Sequence, residues 1–414
     1  MEIIKKIKNN FAPIYAGFLK WLLIGSFIGI LVGLVGTLFY YCIETVTDLR
    51  KSHSFIIWLL PLGGIAIVQF YKAMGYPDDK GTNLVISTAR DGEKMSIRHT
   101  VCIFVASVIT HMLGGSSGRE GAALQIGGSI GSQFGRIFRL DEDDRKIIVM
   151  CGMSACFSAL FGTPVTATVF ALEVCIVGSV QYSALVPCII SAVSAMKTAE
   201  FFNVSDFHLK VDVPEYSIIN YSKIILLAVL CAIVSCIFCG TMKITSKYYK
   251  KIKNKNLRAF TGGLIVAMLT FAIGTFDYNG AGGDIIEKSF DEKLPPEAFA
   301  LKIIFTALTL SAGFKGGEIV PVFFIGSTFG NLMARILNMN YSICSAVGMV
   351  TVFCGATNCP LASIILSIEL FGSQGFIFYA LGCCVAFMIS GYQSLYSSQK
   401  FRYSKIKPTE KTDG

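Results

Sequence analysis

Hydrophobic residues run almost without a break from Trp21 to about Met196, and again from about Ile224 to Tyr392. Between the two runs lies a polar stretch, Phe201 to Tyr221, carrying Asp206, His208, Lys210, Asp212 and Glu215. The first block, Trp21 to Tyr41, is long enough to cross a bilayer as a helix, and the mixed stretch after Lys5, Lys6 and Lys8 is not a cleavable signal. Many later blocks are shorter than a full span and are interrupted by Gly, Pro or Asn, as in Phe161-Gly162-Thr163-Pro164 and Gly355-Ala356-Thr357-Asn358-Cys359-Pro360. A helix that stops inside a membrane leaves backbone groups unpaired, which is tolerated only around a site or a cavity. The pattern predicts an all-α polytopic membrane protein with broken helices. Residues 1–205 form a first transmembrane half with a short N-terminal segment, 206–221 a polar linker, 222–396 a second half and 397–414 a basic tail.

The halves echo each other. Gly152-Met153 is followed by Phe157, Pro164 and Glu173, and Gly348-Met349 by Phe353, Pro360 and Glu369, at the same offsets from the glycine. Gly118, Ile126, Gly127 and Gly131 align in the same way with Gly317, Ile325, Gly326 and Gly330. Duplicated halves with breaks at corresponding positions point to a transporter whose site lies where the repeats meet.

Composition agrees with a membrane setting: of 414 residues 53% are hydrophobic and only 15% charged. So few charges cannot cover a soluble protein of this size, which excludes an ordinary cytosolic enzyme, a disordered chain and a coiled coil. The net charge of +9 is concentrated. Lys243 to Arg258 holds seven basic residues, the first twenty residues hold Lys5, Lys6, Lys8 and Lys20, and the tail holds Lys400, Arg402, Lys405, Lys407 and Lys411. These runs flank apolar blocks and have no basic domain behind them, so they read as cytoplasmic loops and termini at the cell membrane, in contact with lipid, and not as a nucleic-acid patch. The fourteen Cys lie mostly in apolar blocks and read as small buried hydrophobes; Cys236 and Cys239 have no second ligand pair, and the four His form none, so neither a metal nor another cofactor is expected.

The sharpest local signal is Gly114-Gly115-Ser116-Ser117-Gly118-Arg119-Glu120-Gly121. Flexible Gly and Ser before an apolar helix make a helix N-terminus, where free N–H groups attract anions. Glu120 stands where such an anion would stand. It can compete for the same donors and leave by taking a proton, or it can simply cap its own helix beside Arg119. The repeat mate is Phe314-Lys315-Gly316-Gly317-Glu318-Ile319-Val320-Pro321, with Pro321 in the first turn. Glu318 pairs in register with Arg119, and is either a second working carboxylate facing the same cavity as Glu120 or a helix-start residue satisfied by Lys315. A third break, Lys80-Gly81-Thr82-Asn83-Leu84-Val85, offers a hydroxyl and an amide, or a plain N-cap. Tyr396 ends the last block, where a lone Tyr is commonly an interfacial anchor. Glu173 and Glu369 end runs that start at Pro164 and Pro360 and read as structural, bonding neighbouring backbone.

Taken together, these motifs resemble the CLC family of chloride channels and anion/proton exchangers. Gly118-Arg119-Glu120-Gly121 matches its Gly-Arg-Glu-Gly motif, Gly317 to Pro321 falls at its Gly-x-x-x-Pro motif, Gly81 to Val85 takes the place of its Gly-Ser-Gly-Ile-Pro, and Leu395-Tyr396 matches its inner-gate tyrosine. The resemblance covers nearly the whole chain. It implies two inverted-topology repeats of tilted and broken helices, and a homodimer with one pore per subunit. It also implies an anion site built from Gly118, Arg119, Gly121, Gly317, Ile319 and Val320 at helix starts, together with Thr82, Asn83 and Tyr396. Phe314 to Glu318 looks like the signature of the fluoride-exporting branch, which places a Glu here. Val174 stands where chloride exchangers carry an inner proton-transfer Glu.

The resemblance therefore implies an antiporter that expels fluoride against proton entry, with Glu120 as the gating, proton-carrying residue and Glu318 coupling proton to fluoride. Fluoride is small and strongly hydrated, so a dry site must replace its shell with close donors, and a protonated Glu318 is one. The alternative within the fold is a chloride/proton exchanger or passive anion channel. An intramembrane serine protease using Ser116 or Ser117 needs a base that the spans do not supply, so no enzymatic activity is expected.

Overall fold

The computed structural model describes residues 2–204 and 208–406, with the side chains of residues 2–11 left aside. Asp206 in the polar linker and Lys407 and Lys411 in the tail lie outside the described residues, as do the side chains of Lys5, Lys6 and Lys8. Among the described residues there are sixteen α-helices. In the first half these are α1 (Glu2–Ser52), α2 (Leu60–Ala73), α3 (Thr82–Asp91), α4 (Ile97–Met112), α5 (Glu120–Ile137), α6 (Glu142–Phe161), α7 (Pro164–Glu173) and α8 (Leu185–Phe201). The second half holds α9 (Ile218–Lys250), α10 (Lys255–Ile273), α11 (Gly283–Asp291), α12 (Ala298–Ala312), α13 (Ile319–Leu337), α14 (Tyr341–Thr357), α15 (Pro360–Phe371) and α16 (Phe376–Ile389). Six helical segments are long and apolar enough to cross a membrane, and six shorter apolar helices of 10–17 residues accompany them.

Two boundaries differ from the hydropathy reading. Helix α1 extends far beyond Trp21–Tyr41, because Ile14, Tyr15, Phe18 and Leu19 continue an apolar surface that is left exposed on the helix. Helix α9 starts at Ile218, inside the polar stretch 206–221, where the Ser217 hydroxyl accepts from the Asn220 amide and caps the first turn.

The shared glycines explain themselves as contacts. Helix α5 packs on α6 and α13 on α14. A Cβ on Gly127 would overlap the Gly152 carbonyl, and one on Gly326 the Gly348 carbonyl, so in both pairs the backbones touch. The shared glutamates cap helices across the molecule. Glu173, at the end of α7, accepts from Leu361 N (3.2 Å) and Ala362 N (2.9 Å) at the start of α15. Glu369, in the last turn of α15, accepts from Val165 N (3.0 Å) and Thr166 N (2.8 Å) at the start of α7. Each carboxylate thus satisfies orphan donors beside a proline start, bonding backbone as the sequence suggested but in the opposite half of the chain.

The chain after Tyr396 turns back onto this body. A two-residue strand β1 (Ile176–Val177) pairs in parallel with β2 (Lys400–Phe401). Gln399 donates to Val174 O (3.1 Å) and Thr357 O (2.7 Å), joining the ends of α7 and α14. Val174 itself is fully buried under this strap.

Candidate functional site

The Gly-rich breaks before α5 and α13 meet at the centre of the protein. Gly118 N donates to Gly317 O (2.7 Å) and Gly317 N to Gly118 O (2.6 Å), an antiparallel bridge made of one residue from each break. A latch holds it from both sides. Thr309, eight residues before Gly317, accepts from Ser116 N (3.1 Å), and Thr110, eight before Gly118, accepts from Lys315 N (3.2 Å). The residues after the bridge, Arg119 and Glu318, are the N-caps of α5 and α13, with closely matching φ of −104° and −93° and a shared ψ of −16°. Two helix N-termini therefore open side by side at one point, each with free amides.

Glu120 is fully buried; among the described residues no side chain hydrogen-bonds to its carboxylate, which faces the backbone amides of Glu120, Val320 and Arg119. Arg119 is shared between Glu120 and a second acid. Arg119 donates Nη1 to Glu44 Oε1 (2.9 Å), lies over the Tyr40 ring, and keeps only Nε within 3.7 Å of Glu120 Oε1. Glu318 has an unpartnered Oε2, because Lys315 turns away to Asp79 Oδ2 (2.6 Å). Burial works against ionisation of Asp79, yet the Lys315 ammonium and the His99 ring hold its carboxyl below the usual value.

Glu120 and Glu318 do not share a cavity, contrary to the expectation from sequence. Glu120 and Val320 line a cavity of about 500 Å³, cavity one, bordered by α1, α11 and the start of α13. Glu318, Thr82 and Asn83 line a cavity of about 520 Å³, cavity two, bordered by Lys250, Lys315, Ser397 and Ser398. Glu318 is an N-cap and Glu120 the residue after one, and different helices surround each: α1 and α11 border the Glu120 side, α3 the Glu318 side.

Gly121 marks the point between them. A Cβ there would stand 2.8 Å from Gly317 Cα, 3.1 Å from Glu318 Oε2 and 3.2 Å from Thr82 Oγ1. Because no side chain intervenes, the Glu318 carboxyl and the Thr82 hydroxyl converge on a gap too tight for a methyl group. Thr82 is no N-cap: Gly81 holds that position at φ +59°, and Thr82 Oγ1 accepts from Gln125 Nε2 at 3.3 Å. Asn83 Oδ1 accepts from Ser398 N (2.9 Å), which leaves its NH2 to cavity two. Ile319 is fully buried at the start of α13. Tyr396 is 2% exposed and its hydroxyl has no partner, so it is not an interfacial anchor; Glu318 and Glu120 both bear on it electrostatically.

These features occur in a known setting. Residues 63–391 match the voltage gated chloride channel family. The chain belongs to that family, the CLC proteins. A chloride/fluoride channel protein of Pseudomonas syringae pv. tomato is 34% identical over 395 residues, covering 93% of this chain and 87% of its own. An H(+)/Cl(-) exchange transporter of Vibrio cholerae is 25% identical over all of this chain and 94% of its own. Among solved structures, a CLC-type fluoride/proton antiporter superposes with a TM-score of 0.90 at 32% identity, over 92% of this chain and 98% of that one.

Two groups beside the break were not singled out in the sequence. Gln125, one turn after Gly121, donates to Gly121 O and Thr82 and pairs its Oε1 with His99 Nε2 (3.0 Å), and His99 Nδ1 lies 3.6 Å from Asp79. Glu44 is an acid within the long apolar α1, which is the signal that could have found it.

Proposed function

We propose that this CLC protein is a secondary active antiporter that expels fluoride in exchange for protons across the cell membrane. The observation that carries the reading is the gap at Gly121, walled by the Glu318 carboxyl and the Thr82 hydroxyl beside two open helix N-termini. Fluoride is a strong acceptor, and its lost hydration must be matched by short donors: backbone N–H groups, Thr82, and Glu318 when protonated. An ionised Glu318 would repel the same ion, so proton and fluoride favour each other in the gap. Glu120 on the other side of the break swings into cavity one, takes a proton and returns, so its carboxylate and the anion alternate at the same amides. The Tyr396 hydroxyl donates to the ion or to a swung-in Glu120.

Val174 is buried beneath the strap, which favours an inner proton route through Glu318 instead. Lys250 and Ser398 border cavity two, and by the positive-inside rule that side, with both termini, faces the cytoplasm. The paired breaks, the reciprocal caps and the matched latches support two inverted repeats, and the family resemblance implies that two such subunits form a homodimer. Because acidic surroundings drive fluoride into cells as neutral HF, outward transport coupled to proton entry is a useful task. Relatives whose names carry fluoride, the Pseudomonas syringae protein and the superposed antiporter, support the choice of anion over chloride.

The test is proton uptake into liposomes holding the purified protein, driven by a fluoride gradient beside a chloride control. Fluoride-driven uptake that is lost in Glu318→Ala, with an unchanged melting curve, is the expected result. Equal coupling to chloride in the parent, or wild-type-like fluoride coupling in Glu318→Ala, overturns the reading.

A further inference from the structure

Cavity one has a cationic wall that the transport reading leaves unused. Arg50, at the end of α1, is 8% exposed, lines the cavity, and its Nε has no hydrogen-bond partner. Among the described residues its guanidinium makes no ion pair, and the acid that bears on it, Asp284, is 68% exposed and already held by Lys51 at 2.7 Å. Lys302 is fully buried just behind. Its ammonium donates to Gly280 O (2.7 Å) and Tyr278 O (3.2 Å), lies over the Phe324 ring, and has no carboxylate partner. His111, also fully buried and lining the cavity, donates Nδ1–H to Ser107 O (2.8 Å), because a carbonyl can only accept. Its Nε2 is therefore a free acceptor, and it has no partner.

Buried cations that no carboxylate pairs with are costly, and the cost is lowered when an anion can lie against them. Of the acids that line the same cavity, Asp277, Asp284 and Glu287 are exposed at its mouth, where water and salt screen them, Glu44 is paired with Arg119, and Glu120 is buried at the inner end. The turn after Asn279 packs closely on the guanidinium: Gly280 and Gly282 have φ of +60° and +84°, and a Cβ on Gly280 would stand 3.0 Å from Arg50 Nη2. At about 500 Å³ the space holds a small ion together with several waters, each taking about 30 Å³.

We propose that cavity one carries a second anion site, in which a hydrated halide lies against the Arg50 guanidinium while His111 Nε2 accepts from one of its waters. This site is apart from the gap at Gly121 and stages the anion on the cavity-one side of Glu120. Lys302 supplies field from behind the wall, and the glycine turn lets Arg50 approach.

The test uses the full-length protein with bromide as the probe. Anomalous diffraction from bromide-soaked crystals is expected to give a peak beside Arg50, retained in Arg50→Lys and lost in Arg50→Gln. In liposomes, Arg50→Gln is expected to raise the KM for fluoride presented on the cavity-one side about fivefold. The maximal rate and the KM from the other side stay as they were. No bromide peak beside Arg50 in the wild type overturns the site. A peak that disappears in Arg50→Gln while the side-specific KM is unmoved marks an adventitious ion only, and also overturns it. The kinetic arm rests on the transport reading but the bromide map does not, so failure of one is distinguishable from failure of the other. If Arg50→Gln does not reconstitute, the wild-type map decides alone.

Discussion

Cavity one and cavity two are nearly equal in size and reach the same pair of broken helices, yet their charges are laid out differently: in cavity one acids ring the mouth around the Arg50 wall, while cations dominate around cavity two. Cavity one has Glu120 at its inner end, Glu44 holding Arg119, and exposed acids at its mouth. Cavity two has Glu318 at its inner end, with Lys80, Lys250 and Lys315 around it and only Asp79 as a further acid. A basic funnel concentrates anions and an acidic mouth concentrates cations, protons included. The difference teaches that one symmetric device, two glycine-bridged helix starts, becomes directional through carboxylates placed one residue beyond the bridge in one half and two in the other.

Glu120→Gln should break the contrast most completely. The neutral amide can neither carry a proton nor compete as an anion for the amides of Val320 and Arg119. Proton movement under a fluoride gradient is expected to vanish, while the melting temperature stays within a few degrees because the amide oxygen of Gln can still accept from the backbone amides that face the carboxylate. Uphill proton pumping by Glu120→Gln, read with a pH-sensitive dye, would remove Glu120 from its role.

Gly121→Ala tests the gap itself. The added methyl would meet Gly317 Cα at 2.8 Å and crowd both Glu318 Oε2 and Thr82 Oγ1. Fluoride transport should fall at least tenfold, with about 1–3 kcal/mol lost in stability from overpacking. Unchanged fluoride flux would mean that no ion uses that space.

Lys315→Met addresses cavity two. It leaves Asp79, only 2% exposed at its side chain, without its cation, so a loss of about 3 kcal/mol is expected, reduced by the exposure of Lys315 itself. Asp79→Asn in the same chain should restore most of it. Because the folded Asp79 carboxyl lies below its ordinary value, its contribution is present above about pH 4 and disappears as the pH falls through the folded value. Wild-type protein should therefore lose melting temperature on acidification below pH 4 more steeply than Asp79→Asn. Parallel curves would contradict the pairing.

Much of this arrangement was legible in the chain because it rests on glycine, proline and offsets. The two breaks, the Gly127/Gly152 and Gly326/Gly348 contacts and the prolines that start α7 and α15 are backbone requirements, and few residue types meet them. The latch could have been read the same way, since Thr110 and Thr309 share the offset of eight, but a Thr inside an apolar helix has many ordinary uses. The separation of Glu120 from Glu318 into different cavities was hidden. Register shows that one residue is an N-cap and the other is not, but the direction each side chain takes depends on helices far away in sequence, α1 and α11 for one and α3 for the other. For the same reason Glu44 and Asp79 drew no notice: each gains its meaning from a cation brought by the fold.

The smallest expected effect concerns the strap that follows Tyr396. Lys405 reaches back into the body and donates to Asn358 Oδ1 (2.5 Å), Phe387 O (2.7 Å) and Ser390 Oγ (3.3 Å), near the ends of α14 and α16, and it lies over the Phe387 ring. Carbonyls at a helix C-terminus are left without intrahelical partners and carry the negative end of the dipole, so an ammonium there is favourable. Lys405→Met keeps the packing stem and removes the charge. The loss should be about 1 kcal/mol, a few degrees in melting temperature. Its value lies in what it does to Tyr396, held between Ser394 and Gln399 at the root of the strap. If the tyrosine hydroxyl serves the ion, loosening the strap should slow fluoride-coupled proton uptake about twofold or threefold, about 0.5 kcal/mol of barrier, and Tyr396→Phe should mask any further slowing by Lys405→Met. The double-mutant cycle on transport rate is the measurement. Additive effects would mean that the strap stabilises the protein without positioning Tyr396.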